Sequence, residues 1–213
     1  MVYLPLLLLL GYLSGSLPFS YLIARRCGVD VRQVGTRSAS PGNVWRSVGP
    51  LPGALAIAAE ITKGALPLWL ARAVVADDLA VLLVGLAAMA GHNWPLFLAF
   101  DGGRGATLGL ITLLAVSYQW LGLTLLPLAV VTIGMRDSAP GIFVAFLLVP
   151  LCGYLLGLSD SVVLASAGIP ALTYLRRVTA PLPASVPPAE RRRVFWNRLV
   201  FDRPERGRRW RPR

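Results

Sequence analysis

The sequence predicts an all-α polytopic membrane protein of about seven transmembrane helices, with its N-terminus outside and its C-terminus in the cytoplasm. Three observations carry that prediction. Apolar residues make up 55% of the 213 and charged residues only 15%, against about 25% charged for a soluble domain. The apolar residues lie in long blocks, several of which reach the roughly 20 residues a helix needs to cross a bilayer. The arginines are gathered in a few of the segments between those blocks, and such asymmetry sets orientation.

The first block spans residues 3–24. No Lys or Arg precedes it, whereas Arg25 and Arg26 follow. A secretory signal peptide has the opposite order, so an uncleaved helix entering from outside is expected. Later blocks span 51–71, 79–100, 106–134, 141–158 and 162–175. The 29-residue block 106–134 reads as one tilted helix or as two short ones broken near Ser117-Tyr118-Gln119. Five arginines lie between Arg25 and Arg46, and 12 between Arg176 and Arg213. Both segments are expected in the cytoplasm. An outside N-terminus and an inside C-terminus need an odd number of spans, which favours seven. Cytoplasmic segments are then 25–50, 101–105, 135–140 and 176–213. Asp77-Asp78 and Asp160 fall on the outer side.

Two parts follow from this pattern: a transmembrane domain over 1–176 and a basic, membrane-surface tail over 177–213. Pro181, Pro183, Pro187 and Pro188 interrupt the chain after the last span. Beyond Glu190, arginines are interleaved with Phe195, Trp196, Phe201 and Trp210. That composition suits either a helix lying on anionic lipid or a solvated tail that only fixes topology. The net charge of +11 implies anionic partners. In so apolar a chain these are lipid headgroups or phosphorylated substrates rather than nucleic acid, for which no recognition motif is present.

Four features carry chemistry. The loop from Gly35 to Arg46 holds Thr36, Arg37, Ser38, Ser40 and Asn43 among small turn formers. Hydroxyls, backbone N–H groups and guanidinium groups are what a phosphate dianion requires, although a polar connection could have the same composition. Asp101-Gly102-Gly103-Arg104-Gly105 joins two blocks. Its glycines permit close backbone approach and a helix start follows, but it is not a Walker A loop. Glu60 and Lys63, three apart within a block, share a helix face and can pair. His92, within Gly91-His92-Asn93-Trp94-Pro95, is the only histidine. One histidine and two distant cysteines, Cys27 and Cys152, indicate neither a metal site nor a disulfide framework. No G-x-S-x-G nucleophile elbow and no H-E-x-x-H occur.

Taken together, these residues resemble the PlsY-type glycerol-3-phosphate acyltransferases of bacteria, small seven-helix inner-membrane enzymes. Gly15-Ser16-Leu17-Pro18-Phe19-Ser20-Tyr21-Leu22 matches the family's G-S-[IL]-P-F-x-Y-L, and Gly28 to Arg32 its G-V-D-[IV]-R. The loop G-S-G-N-x-G-A-T-N-V-x-R is represented by Gly35 to Arg46, and D-x-x-K-G by Glu60 to Gly64. G-H-x-[FW]-P and F-x-G-G-[KR]-G are matched by Gly91 to Pro95 and Phe100 to Gly105. The resemblance covers about residues 11–110 in order and spacing.

The resemblance implies transfer of an acyl group from acyl phosphate to glycerol 3-phosphate, giving lysophosphatidate and phosphate. It implies no cofactor, no metal and no covalent acyl-enzyme. Thr36, Ser38, Asn43 and Arg46 are then the catalytic candidates. Arg37, Lys63, Gly102, Gly103, Arg104 and Gly105 would bind substrate phosphate, with Glu60, His92 and Arg192 in support. Departures are concentrated in two places. In the first loop Thr36 replaces the family serine, Arg37-Ser38 replaces Gly-Asn, and Gly42 replaces a threonine. In the C-terminal H-R-x-N-[IL]-x-R-L segment only Arg198-Leu199 fits, with Arg192 at the histidine position and Phe195 at the asparagine position. These departures give an alternative, a relative that binds phospholipid or an anionic metabolite without turnover. A small transporter lined by Glu60, Lys63 and His92 is a third reading, with no internal repeat to support it.

Overall fold

The computed structural model describes residues 2–180 and 187–203, and among these there is no strand. Helix α1 (Leu4–Ser16) opens with a proline in its first turn, where the missing N–H costs nothing. It ends before Pro18, with Leu17 in extended conformation, and α2 (Phe19–Arg26) continues the chain beyond that break. Short helix α3 (Pro41–Ser47) follows an irregular loop, and α4 (Pro50–Val74) is the longest helix. Helix α5 (Asp78–Asn93) starts at Asp77, whose carboxylate accepts from Ala80 N–H. A 3-10 turn over Leu96–Leu98 leads into the glycine loop.

The long fourth block is broken. Helix α6 (Ala106–Val116) and α7 (Tyr118–Met135) meet at Ser117, which is extended and caps α7 by accepting from Trp120 N–H. The break therefore lies at the residues the sequence marked. The next block is also bent. Helices α8 (Ser138–Leu147) and α9 (Val149–Leu155) differ in direction by 47°, with Pro150 in the first turn of α9. The last block is divided into α10 (Asp160–Ser166) and α11 (Gly168–Thr179). Helix α12 (Arg191–Phe201) forms most of the described tail. The segments 181–186 and 204–213, with Pro181, Pro183, Trp210 and Arg213, lie outside the described residues.

Among the described residues, four helical stretches are long and apolar enough to cross a membrane: Leu4–Arg26, Pro50–Val74, Asp78–Leu98 and Tyr118–Met135. The bent α8–α9 pair makes a fifth if it is one span. Their outward faces are apolar. On α7, Leu126, Val130 and Ile133 are each more than 60% exposed, as a surface against lipid requires.

Helix α5 is central and packs on α1, α4, α6, α10 and α11. Helices α1 and α5 approach through glycines. A Cβ at Gly15 would overlap the Ala88 carbonyl, and one at Gly91 would overlap the Tyr12 carbonyl. Small residues at such crossings let dispersion contacts replace the hydrophobic drive that lipid removes. Trp120 of α7 is fully buried among Leu82, Phe146 and Val149. Its indole N–H donates to Val149 O at 2.9 Å, close to the α8–α9 bend.

Candidate functional site

The site is assembled at the break after α1. Because Pro18 has no N–H, the regular ladder cannot cross it, and the carbonyls of Gly15 and Leu17 turn to the Lys63 ammonium at 3.0 and 2.8 Å. Lys63 comes from α4, one turn after Glu60, and the two pair at 3.0 Å. The same Glu60 oxygen lies 3.0 Å from His92 Nδ1, and Lys63 Nζ is 3.2 Å from that nitrogen. Ser20 of α2 donates to the other Glu60 oxygen at 2.9 Å. Glu60, Lys63 and His92 are 1%, 4% and 5% exposed. A buried charge must be paired, and the Glu60 carboxylate is paired with Lys63 and lies against His92 in a cluster that joins α1, α2, α4 and α5.

The glycine loop lies directly on this cluster. A side chain on Gly103 would collide with His92 Nε2, and one on Gly102 with the His92 carbonyl. Gly103 N–H donates to His92 O at 2.9 Å and Gly102 N–H to Asn93 O at 3.3 Å. Those two amides are therefore committed to the fold. The next amides, at the start of α6, have no intrahelical acceptor. Gly105, with φ +72°, turns the chain into that helix.

The first loop is organised by Asn43, which is fully buried. Its amide NH2 donates to the carbonyls of Val31 at 2.8 Å, Val34 at 3.1 Å and Ser38 at 3.1 Å. Its oxygen accepts from Thr36 N–H at 3.1 Å and Ser47 Oγ at 3.2 Å. Gly35, at φ +59°, permits this approach, since a Cβ there would overlap the Asn43 oxygen. Asn43 thus holds the loop, and both ends of its amide are used. Outside this core, Asp30 accepts from Arg32 at 3.2–3.3 Å, which holds the Asp30 carboxyl below its ordinary range against the opposing effect of burial.

Arg104 joins the two loops. Its Nη2 approaches Thr36 O at 3.5 Å, and its Nε donates to Asp202 at 2.7 Å. Its Nη1 is buried without a partner, as are Thr36 Oγ1 and Ser38 Oγ nearby in the loop. Buried donors left unpaired are rare and costly, and hydroxyl and guanidinium donors are groups from which an anion can accept. Arg37 is exposed beside this group at φ 53°. Arg46 is exposed at the end of α3 with its guanidinium over Gly42.

The structure thus brings Thr36, Ser38, Asn43 and Arg104 together, with Arg37 and Arg46 beside them. Lys63 and His92 form the layer beneath, where the Lys63 ammonium is already taken up by carbonyls and Glu60. Arg192 is exposed on α12.

Sequence reasoning missed three buried arginines. Arg176, 3% exposed, pairs with Asp101 and lies 3.4 Å from Gly102 O. Arg177 donates to Leu199 O at 2.7 Å and Ala139 O at 3.1 Å, tying α11 to α12 and α8. Arg198 donates to Ala180 O. Its guanidinium is pushed down to about 10, first by desolvation and then by Arg104, with Asp202 opposing. A basic tail reads as a solvated face in sequence, so burial of these three gave no signal. Asp202 was missed as well, being one acid among many arginines. Among the described residues no group of three or more His, Cys, Asp or Glu side chains could hold a metal ion.

The family model for glycerol-3-phosphate acyltransferase matches residues 5–179. The glycerol-3-phosphate acyltransferase of Roseiflexus sp. is 48% identical over 103 residues, 48% of this chain and 51% of that protein. Glycerol-3-phosphate acyltransferase 4 of Dehalococcoides mccartyi is 31% identical over 208 residues, 93% of this chain and 88% of that protein. Thus the first alignment spans about half of its relative, whereas the second spans most of it. Among solved structures, the integral membrane glycerol 3-phosphate acyltransferase PlsY (YgiH) superposes in two forms. Its glycerol 3-phosphate form has TM-score 0.76 at 28% identity, covering 82% of this chain and 88% of that one. Its lysophosphatidic acid form has TM-score 0.74 at 27% identity, covering 82% and 87%.

Proposed function

The chain belongs to the glycerol-3-phosphate acyltransferase family, and from that premise we propose that it transfers an acyl group from acyl phosphate to glycerol 3-phosphate, forming lysophosphatidate and inorganic phosphate. The observation that carries the reading is the set of buried, unpartnered donors Thr36 Oγ1, Ser38 Oγ and Arg104 Nη1, held where the two loops meet. In the proposed reaction a glycerol hydroxyl oxygen forms a bond to the acyl carbonyl carbon. The bond from that carbon to the phosphate oxygen breaks, and the hydroxyl proton passes to a phosphate oxygen. No protein base is then required. The chain's contribution is positioning and charge stabilisation. Arg104, Arg46 and Arg37 offset the charge of two phosphorylated substrates, Thr36 and Ser38 donate to phosphate or to the developing oxyanion, and the first amides of α6 face the same anion. Asn43, Glu60, Lys63 and His92 keep the loops in place.

We assign this site to the cytoplasmic face of a bacterial inner membrane, with seven crossings formed by α1–α2, α4, α5, α6, α7, α8–α9 and α10–α11. Four contacts support that topology. Arg104 reaches both Thr36 and Asp202, Arg203 pairs with Asp137, and Arg177 meets Ala139. All four segments assigned to the cytoplasm therefore meet at one end of the bundle. Helix α12 exposes Arg191–Arg193, Phe195 and Trp196, a surface suited to anionic lipid.

The test is purified protein in mild detergent with palmitoyl phosphate and labelled glycerol 3-phosphate. Labelled lysophosphatidate that disappears in Arg104→Ala is the expected result. The altered first loop and the exposed Arg192 favour one other reading, a relative that binds such anions without turnover. Glycerol 3-phosphate binding with no product, beside an active relative, would establish that reading instead.

A further inference from the structure

We infer that Asp202 is a positioning residue of the phosphate site: a resident carboxylate that fixes Arg104 and holds the buried arginines together, and against which a substrate phosphate must bind. The inference rests on the anion-binding reading of Arg104 given above. Asp202 is the residue that ends α12, in left-handed conformation at φ 52°. A left-handed backbone is uncommon at a non-glycine residue, aspartate being one of the types that adopt it, and the Asp202 carboxylate lies 2.7 Å from Arg104 Nε. With Nε on Asp202 and Nη2 on Thr36 O, Nη1 is the guanidinium nitrogen left without a partner. The contact therefore sets the direction in which Arg104 presents its remaining donors.

The charge of Asp202 also acts on Arg46, Arg176, Arg177 and Arg198. Of these, the last three and Arg104 itself are each less than 10% exposed. Four buried cations at one helix-bundle end repel one another strongly where water is scarce. Asp101 offsets Arg176 and Asp137 offsets Arg203, but Asp202 is the acid in contact with Arg104. In the empty site it supplies the negative charge that the cluster needs. When a phosphate dianion arrives, the same carboxylate opposes it. Geometry and charge thus pull in different directions, and their separation is measurable. Removal of the carboxylate should strengthen anion binding and impair the chemistry that depends on Arg104.

The experiment compares the full chain with Asp202→Asn, an isosteric neutral change, and Asp202→Glu, which keeps the charge. Inorganic phosphate and glycerol 3-phosphate binding are measured by calorimetry, and kcat with palmitoyl phosphate. The expected result is a split: Asp202→Asn binds phosphate about 5–20-fold more tightly while kcat falls at least 10-fold. Asp202→Glu should lie between it and the parent in both. In the Arg104→Lys background, which lacks the Nε contact, Asp202→Asn should lower kcat by less than it does beside Arg104. Weaker phosphate binding in Asp202→Asn, or an unaltered kcat, would overturn the inference. If neither the parent chain nor Asp202→Asn binds phosphate or glycerol 3-phosphate, the anion-site reading itself fails and takes this inference with it. A parent that binds and an Asp202→Asn that binds no better would refute the role of Asp202 alone.

Discussion

Replacing Lys63 by methionine removes the cation from a buried cluster and leaves its shape nearly unchanged. The cost can be worked from the contacts. Glu60 loses the ammonium at 3.0 Å and becomes a buried carboxylate held only by Ser20 and His92. The carbonyls of Gly15 and Leu17, freed from the helix ladder by Pro18, lose the donor that satisfies them. Breaking a buried pair by removing one partner costs about 3–5 kcal/mol. For a chain of this size, each kcal/mol lowers the melting temperature by roughly 2–4 °C, so a fall of about 6–20 °C is expected. The double variant Glu60→Gln, Lys63→Met removes both charges and keeps an acceptor for Ser20. It should recover about half of that loss, the remainder being the two unpaired carbonyls. The assay is thermal unfolding of purified protein in detergent, followed by tryptophan fluorescence. A Lys63→Met protein melting within 2 °C of the parent would refute the pairing argument. So would a double variant whose loss equals the sum of the two single losses.

Other consequences can be checked with the same material. Asn43→Ala orphans three carbonyls and an amide N–H, each lost bond worth about 1 kcal/mol. The Gly35–Arg46 loop should become cleavable by protease, and turnover should fall more than 100-fold. Gly103→Ala forces a methyl group into His92, an overpacking that costs about 1–3 kcal/mol, and its KM for glycerol 3-phosphate should rise at least 10-fold; an unchanged KM would mean that the glycine loop does not bear on the substrate. Thr36→Val keeps the volume and removes the hydroxyl, so kcat should drop about 10–100-fold with little change in melting temperature, whereas Thr36→Ser should restore it. Asp30 is held below its ordinary value by Arg32. Its stabilisation is therefore present above about pH 4 and is lost as pH falls through the lowered folded-state value. Asp30→Asn should cost under about 1 kcal/mol at pH 7 and progressively less as the pH falls below the ordinary carboxylate range; a cost that does not shrink on acidification would contradict the assignment.

Much of this protein is legible along the chain because the relevant physics is local. Block length and composition determine which stretches become apolar helices. Ser117 marks a break because a capping hydroxyl acts on the nearest turn. The pairing of Glu60 with Lys63 follows from their spacing on one helix, and the glycine loop announces itself by residues that only close backbone approach requires. The family motifs made the chemistry readable for the same reason, since each motif is one short local structure.

Tertiary structure alone decided what those pieces touch. Spacing cannot tell that His92 joins the Glu60–Lys63 pair from 29 residues away, or that Asn43 spends its whole amide on its own loop. Nor can it divide the arginines, since the exposed Arg192 and the buried Arg198 stand six residues apart in one basic helix. The difference between them is which face of α12 meets α11 and α8, and that depends on residues 18 to 22 positions upstream, through Ala180 and Arg177. The sequence by itself determined the apolar blocks, the break near Ser117 and the family resemblance, whereas the breaks at Pro18, Leu148 and Ala167 emerged only in the folded chain. Only the folded chain determined that Asp202, 98 residues from Arg104, would sit beside it, because a long-range ion pair is set by packing and leaves no period in the sequence.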